Sequence, residues 1–314
     1  MAVREFAEGI PIPVCGLALG LASLDRYLSS NYGSYQYGIF AAISTILVLL
    51  FVLKMTVGRE AFRKDIESPI LFGVLPTFPM TLMILSTYIV DTLEMVAQML
   101  WIVSLASMFV MMFLFLRRFL VGFRIKNVFP SWFVMFIGCV VASVTSVAIG
   151  FADIGKTVFI FGVVAYAVLL PLISYRVLIK KGIPEQAMPN LAIFTAPPNL
   201  LLVGYLAAFG TDANETVVLI WAVFGIISYF MVLAYLPFMM RRKFYVSYGA
   251  FTFPLVISMM SINSIGEFFD LSGGLYGILE KASEAIAVAM VVYVLIRYVA
   301  YFIGIATEKS KTGT

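Results

Sequence analysis

Ser68-Pro69-Ile-Leu-Phe-Gly-Val-Leu-Pro76-Thr77-Phe-Pro79-Met-Thr81 carries three prolines through the first half of an apolar segment that runs to residue 90. A proline inside a helix removes a backbone hydrogen bond and collides with the carbonyl four residues back, so the helix bends there. In lipid such damage is tolerated only where the freed groups face protein or a water-filled cavity. The disturbance recurs about every 60 residues, at Pro11/Pro13, Pro130, Pro197/Pro198 and Pro254, each in an alternate hydrophobic segment. Helices broken once per repeat point inward, and the pattern reads as the wall of a pore.

Composition agrees. The 314 residues are 62% hydrophobic and 12% charged, and a spanning helix needs about 20 apolar residues to cross about 30 Å of hydrocarbon. Segments that qualify run over 10–28, 36–55, 69–90, 95–116, 129–150, 155–179, 189–210, 215–240, 247–269 and 277–305. They make residues 1–314 a single transmembrane domain, with repeat units at 10–55, 69–116, 129–179, 189–240 and 247–305. The N-terminus carries Arg4, Glu5 and Glu8 where a signal peptide would be basic, so no removable leader is expected. Cys15 and Cys139 lie inside apolar segments and read as small buried hydrophobes. The chain has no histidine, which removes a histidine metal site or proton relay, and no cofactor is expected.

Charge sorts by connection. Lys54, Arg59, Arg63 and Lys64, then Arg117, Arg118, Arg124 and Lys126, then Arg176, Lys180 and Lys181, and finally Arg241, Arg242 and Lys243 follow the even segments. The opposite connections hold only Arg26, Lys156 and Lys281 among acidic residues that include Asp25, Asp91, Glu94 and Asp153. Basic loops stay in the cytoplasm. This predicts a multi-pass protein of the inner (plasma) membrane with both termini cytoplasmic. The net charge of +4 reflects that sorting, and no nucleic-acid partner is implied.

Five units that all enter from one side suggest an all-α fold of five parallel helical hairpins in a quasi-five-fold ring, odd segments inside. Gly16 and Gly20 align with Pro13 and Ser23 on segment one, Gly138 and Ala142 with Thr145 or Ser146 on segment five, and Pro254 and Ser258 with Ser247 and Ser261 on segment nine. Thr77 and Pro79 of segment three and Pro197 and Asn199 of segment seven complete the candidate lining. Small stripes also let helices approach closely; their recurrence on three odd segments beside proline breaks favours a passage. The even segments are plainer, as Leu105 to Leu116 illustrates.

No Asp, Glu, Lys or Arg lies near the middle of the odd segments. Intramembrane charges mark proton relays and ion-coupled carriers, so their absence points to a neutral conduit. Such a conduit prefers anions through hydroxyl donors, helix dipoles and basic rims. Arg297 and Glu284 on segment ten, about 20 Å apart along a helix, cannot pair and are expected to snorkel or to contact another helix rather than to serve transport.

Gly16-Leu-Ala-Leu-Gly20-Leu-Ala-Ser-Leu24, Ser68-Pro69 through Phe78-Pro79-Met-Thr81, Pro130-Ser-Trp132, Ala196-Pro197 and Phe251-Thr-Phe253-Pro254 occur in order along the chain. The ordered set resembles the tellurite-resistance/dicarboxylate transporter family, which includes the plant guard-cell slow anion channels and bacterial malate and sulfite exporters. The resemblance implies five hairpins around a central pore, a homotrimer whose protomers conduct independently, and a phenylalanine plug immediately before the ninth-segment proline, here Phe253. Helical-wheel geometry alone does not choose between Phe251 and Phe253. Two positions depart from the family pattern: Gly249 stands where a bulkier aromatic is usual, and Gly138 where a proline is. The long phosphorylated tails of the plant members are absent, so kinase control is not expected.

The expected function is passive conduction of small inorganic anions such as chloride and nitrate through a phenylalanine-gated pore in the lipid bilayer. The alternative is a proton-coupled exporter of sulfite, malate or another C4-dicarboxylate, or tellurite-related oxyanions. No nucleophile–base pair, metal cluster or phosphate loop suggests an enzyme.

Overall fold

The computed structural model describes residues 2–33, 38–241, 243–271 and 273–312. Arg242 of the last basic linker and residues 36 and 37 at the start of the expected second segment lie outside the described residues. Among the described residues there is no strand. Nine helical stretches among the described residues are long and apolar enough to cross a membrane, and a tenth arises when two helices meeting at 76° are counted as one span. The helices are α1 (Ala2–Gly9), α2 (Val14–Tyr32), α3 (Gly38–Thr56), α4 (Arg59–Asp65), α5 (Pro69–Val74), α6 (Thr77–Ser86), α7 (Glu94–Phe119), α8 (Ser131–Ile137), α9 (Val141–Ile149), α10 (Ala152–Ser174), α11 (Ala196–Phe209), α12 (Glu215–Met240), α13 (Phe253–Phe268) and α14 (Gly274–Thr312).

All five odd spans are broken. The first turns at Ile10–Pro13 between α1 and α2, the third at Leu75–Pro76, and the fifth at a 3₁₀ turn, Gly138–Val140. In the seventh and ninth, 3₁₀ stretches (Glu185–Thr195 and Val246–Phe251) precede α11 and α13. The prolines act here less as mid-helix kinks than as helix starts. Pro69, Pro197 and Pro254 occupy the first or second position of α5, α11 and α13, where a missing N–H costs no helical bond. The fifth span breaks without a proline, at Gly138, where an added Cβ would come within 2.7 Å of the Met80 sulfur, a contact that the flexible methionine can relieve by shifting. Prolines also occur outside the odd spans: Pro171 and Pro237 sit inside α10 and α12.

Burial separates the two sets. In the most apolar stretch of the third, fifth, seventh and ninth spans 67–78% of residues are buried, against 28–33% in the even spans. α2 packs on α6 and α13, α6 on α9, α9 on α11, and α11 on α13. α3, α7, α10, α12 and α14 lie respectively against α2, α6, α9, α11 and α13. The exposed side chains of α7 and α12, Phe113 and Met231 among them, are the apolar surface that lipid requires.

Three charges sit elsewhere than the sequence suggests. Asp25 was assigned to an acidic connection, but α2 runs four residues past residue 28 and buries it completely. Its Oδ1 accepts from the backbone N–H of Phe40 at 3.1 Å and its Oδ2 from the Tyr88 hydroxyl at 2.8 Å. Lys54, assigned to a basic loop, is buried in the last turn of α3 and pairs with Asp65 at 2.6 Å. Arg176 is buried beneath the Phe129 ring and donates to the carbonyls of Lys181 and Gly182. Arg297 and Glu284 do contact other elements: the guanidinium lies over the Phe244 ring at 5.2 Å, and the carboxylate accepts from Tyr32 at 2.9 Å.

Candidate permeation site

Two cavities meet at Phe253 and Leu200, the two side chains that line both. The first, about 50 Å³, takes Pro13, Thr77, Phe133, Asn190 and Ala250 from the five odd spans in turn. Each comes from the part of its span nearest a break or the preceding linker. The second, about 70 Å³, is lined from the far halves by Ser23, Arg26, Thr87, Thr145 and Met260. Phe253 itself is 7% exposed.

Phe253 is placed by close backbone contacts. The Thr252 hydroxyl lies 2.9 Å from the Gly16 carbonyl and 2.7 Å from that of Gly249. A Cβ on Gly249 would fall 2.5 Å from the Pro13 carbonyl, and one on Gly20 would meet Thr252 Cβ at 2.5 Å and the Phe253 nitrogen at 3.0 Å. Glycine at 249, where the family pattern has an aromatic, thus lets the start of the ninth span touch the bend of the first. Phe251, the other aromatic the wheel allowed, is fully buried, stacks edge-on against Tyr248 at 4.9 Å and lines neither cavity.

Of the residues expected at the path, Gly16, Thr77, Gly138, Pro197, Phe253 and Pro254 line the first cavity. Gly20, Pro79, Ala142, Asn199 and Ser258 line neither. Gly20 is a helix-crossing point. Asn199 Nδ2 lies 2.7 Å from the Thr195 carbonyl, 3.1 Å from Ser258 Oγ and 3.3 Å from the Gly225 carbonyl, joining α11, α12 and α13 through a buried polar knot. Arg26, Asn190 and Leu200 were missed as lining. Arg26 did carry a signal, as the lone cation in the first acidic connection. Leu200 carried none.

The hydroxyls do not serve as the sequence suggested. Thr77 donates to Val74 O at 2.7 Å, Ser23 to Leu19 O at 2.7 Å, Thr87 to Ile84 O at 2.8 Å and Thr145 to Val141 O at 2.9 Å. Protons committed to the preceding turn leave only lone pairs for the cavity. The first cavity has no charged side chain in its lining, and the second has one, Arg26.

A multi-pass helical bundle whose buried, broken spans enclose an almost charge-free pair of cavities has the build of a channel or transporter. A family profile described as voltage-dependent anion channel (SLAC1) matches residues 10–299, nearly the whole chain. The chain belongs to that family, and it is a membrane protein of the anion channel or transporter type. It is also similar to a tellurite resistance protein TehA homologue of Haemophilus influenzae, with 23% identity over 252 residues that cover 79% of this chain and 76% of the relative. The family resemblance carried by the ordered glycine and proline motifs is thereby confirmed.

Proposed function

We propose that the protein is a passive channel for small anions, chloride and nitrate, and that Phe253 is its plug. The observation that carries this is the position of the ring: with Leu200, it forms the boundary between two otherwise separate cavities. A phenyl ring across a neutral passage excludes water and obliges an ion to shed its hydration shell. The closed circuit of contacts α2–α6–α9–α11–α13–α2 supports a quasi-five-fold ring of five hairpins about the path. The basic linkers support cytoplasmic termini in the plasma membrane, and the family resemblance implies a homotrimer of separately conducting protomers. A proton-coupled exporter needs a titratable group on the path; among the lining residues Arg26, permanently charged, is the one ionised side chain.

Phe253→Ala in proteoliposomes should raise chloride and nitrate flux well above wild type, driven by membrane potential and indifferent to a pH gradient. Flux unchanged from wild type in correctly inserted, folded protein would sink the plug. Flux that saturates and follows the pH gradient would favour the exporter.

A further inference from the structure

The second cavity is lined by one cation, the exposed Arg26. Arg26 makes no ion pair among the described residues, although a carboxylate precedes it in sequence. Adjacent residues of a helix diverge by about 100°, and both Asp25 oxygens are occupied, by the Phe40 N–H and the Tyr88 hydroxyl. Asp25 therefore fixes the Tyr88 ring, and the guanidinium lies 5.9 Å from the centroid of that ring. The hydroxyls of Ser23, Thr87 and Thr145 donate into their own helices. A negative ion in this cavity finds its free side-chain N–H donors on Arg26. The cavity volume of about 70 Å³ exceeds the roughly 10–15 Å³ that one water occupies, which leaves room for a small anion that keeps part of its hydration.

We propose that Arg26 is an anion-loading site at the end of the path away from the basic linkers. It binds one small inorganic anion and grips a planar oxyanion such as nitrate through two parallel N–H bonds, which a guanidinium fork can make and an ammonium cannot. Tyr88 and Asp25 are positioning residues. The inference rests on the reading of these cavities as the anion path and adds to it the place and chemistry of capture.

The test is equilibrium binding, which needs no flux: line broadening of the chloride NMR signal by purified protein in nanodiscs, with nitrate as competitor. Arg26→Gln should lose most of the broadening that nitrate relieves, corresponding to binding weaker by about tenfold, the scale of one charge-assisted hydrogen bond. Arg26→Lys should keep the chloride broadening yet need several-fold more nitrate to relieve it. Tyr88→Leu should move the nitrate-to-chloride ratio toward that of the lysine variant; a lowered melting temperature with the ratio unmoved would make Tyr88 a packing residue only. Broadening and nitrate competition in Arg26→Gln equal to wild type would overturn the site. If Phe253→Ala fails to raise flux while Arg26→Gln still loses binding, the plug falls and the loading site stands. The reverse pair of results removes the site alone.

Discussion

Asp65→Asn should destabilise this protein more than Lys54→Met, although each breaks the same ion pair. The Lys54 side chain is 2% exposed and that of Asp65 29%. At their separation of 2.6 Å, and with an effective dielectric constant of about 20, the attraction is about 6 kcal/mol. Desolvating two ions costs several kcal/mol each, so the pair is close to neutral overall. Asp65→Asn leaves the buried ammonium without a counter-charge, facing only neutral acceptors, the asparagine amide oxygen and the Glu8 carbonyl at 3.4 Å, at a cost of about 3 kcal/mol. Removing the ammonium frees a carboxylate that water can already reach, and methionine refills the buried stem, so the loss is under about 1 kcal/mol. Thermal melts in detergent with a thiol-reactive dye suit the question, because Cys15 and Cys139 are both free and buried and react only when the fold opens. At about 2–4 °C per kcal/mol, Asp65→Asn should fall by roughly 6–12 °C and Lys54→Met by a few degrees at most. The double variant should match Lys54→Met. A Lys54→Met protein that melts as low as Asp65→Asn would refute the reasoning, because it would mean the pair itself, rather than the stranded charge, sets the cost.

Gly20→Ala places a methyl 2.5 Å from Thr252 Cβ and should cost about 1–3 kcal/mol through overpacking; because it displaces the residue before Phe253, it should also change basal anion flux, which Gly277→Ala, in open space on α14, should not. Asn199→Leu breaks the knot between α11, α12 and α13 and leaves buried Thr195 and Gly225 carbonyls without their partner. It should lower the melting temperature by the equivalent of about 2–3 kcal/mol and leave the nitrate-to-chloride permeability ratio unmoved, measured as reversal potential in Phe253→Ala protein.

The ten spans and their alternation were legible because hydrophobic length and loop charge are collective signals, robust to any one residue. The breaks were legible where a proline stands at the start of the helix that follows, at Pro76, Pro197 and Pro254. Gly138 shows where legibility ends: the 3₁₀ turn Gly138–Val140 interrupts the fifth span with no proline to announce it. Side-chain direction was harder still. Gly20 and Gly16 share a stripe, yet one marks a helix crossing and the other also reaches a cavity. Asn199 reads as a polar residue on a pore helix until Gly225, 26 residues away, supplies its acceptor. Asp25 and Lys54 looked like loop charges because their partners, Tyr88 and Asp65, are distant in sequence from the helix ends they occupy.

The placement of charge explains how a path this apolar could still choose anions. The hydroxyls of Thr77 in the first cavity and Thr145 in the second are committed within the protein, so they add little solvation for a passing ion of either sign. Among the described lining residues the one fixed charge is Arg26, in the second cavity with Thr145. If Phe253 is the plug, the barrier is an apolar ring, and the cation lining the second cavity sets how often an anion stands ready beside it. Selection and barrier then reside in different residues. A neutral ring can block the passage without discriminating by sign, because the cation at its threshold has already done so.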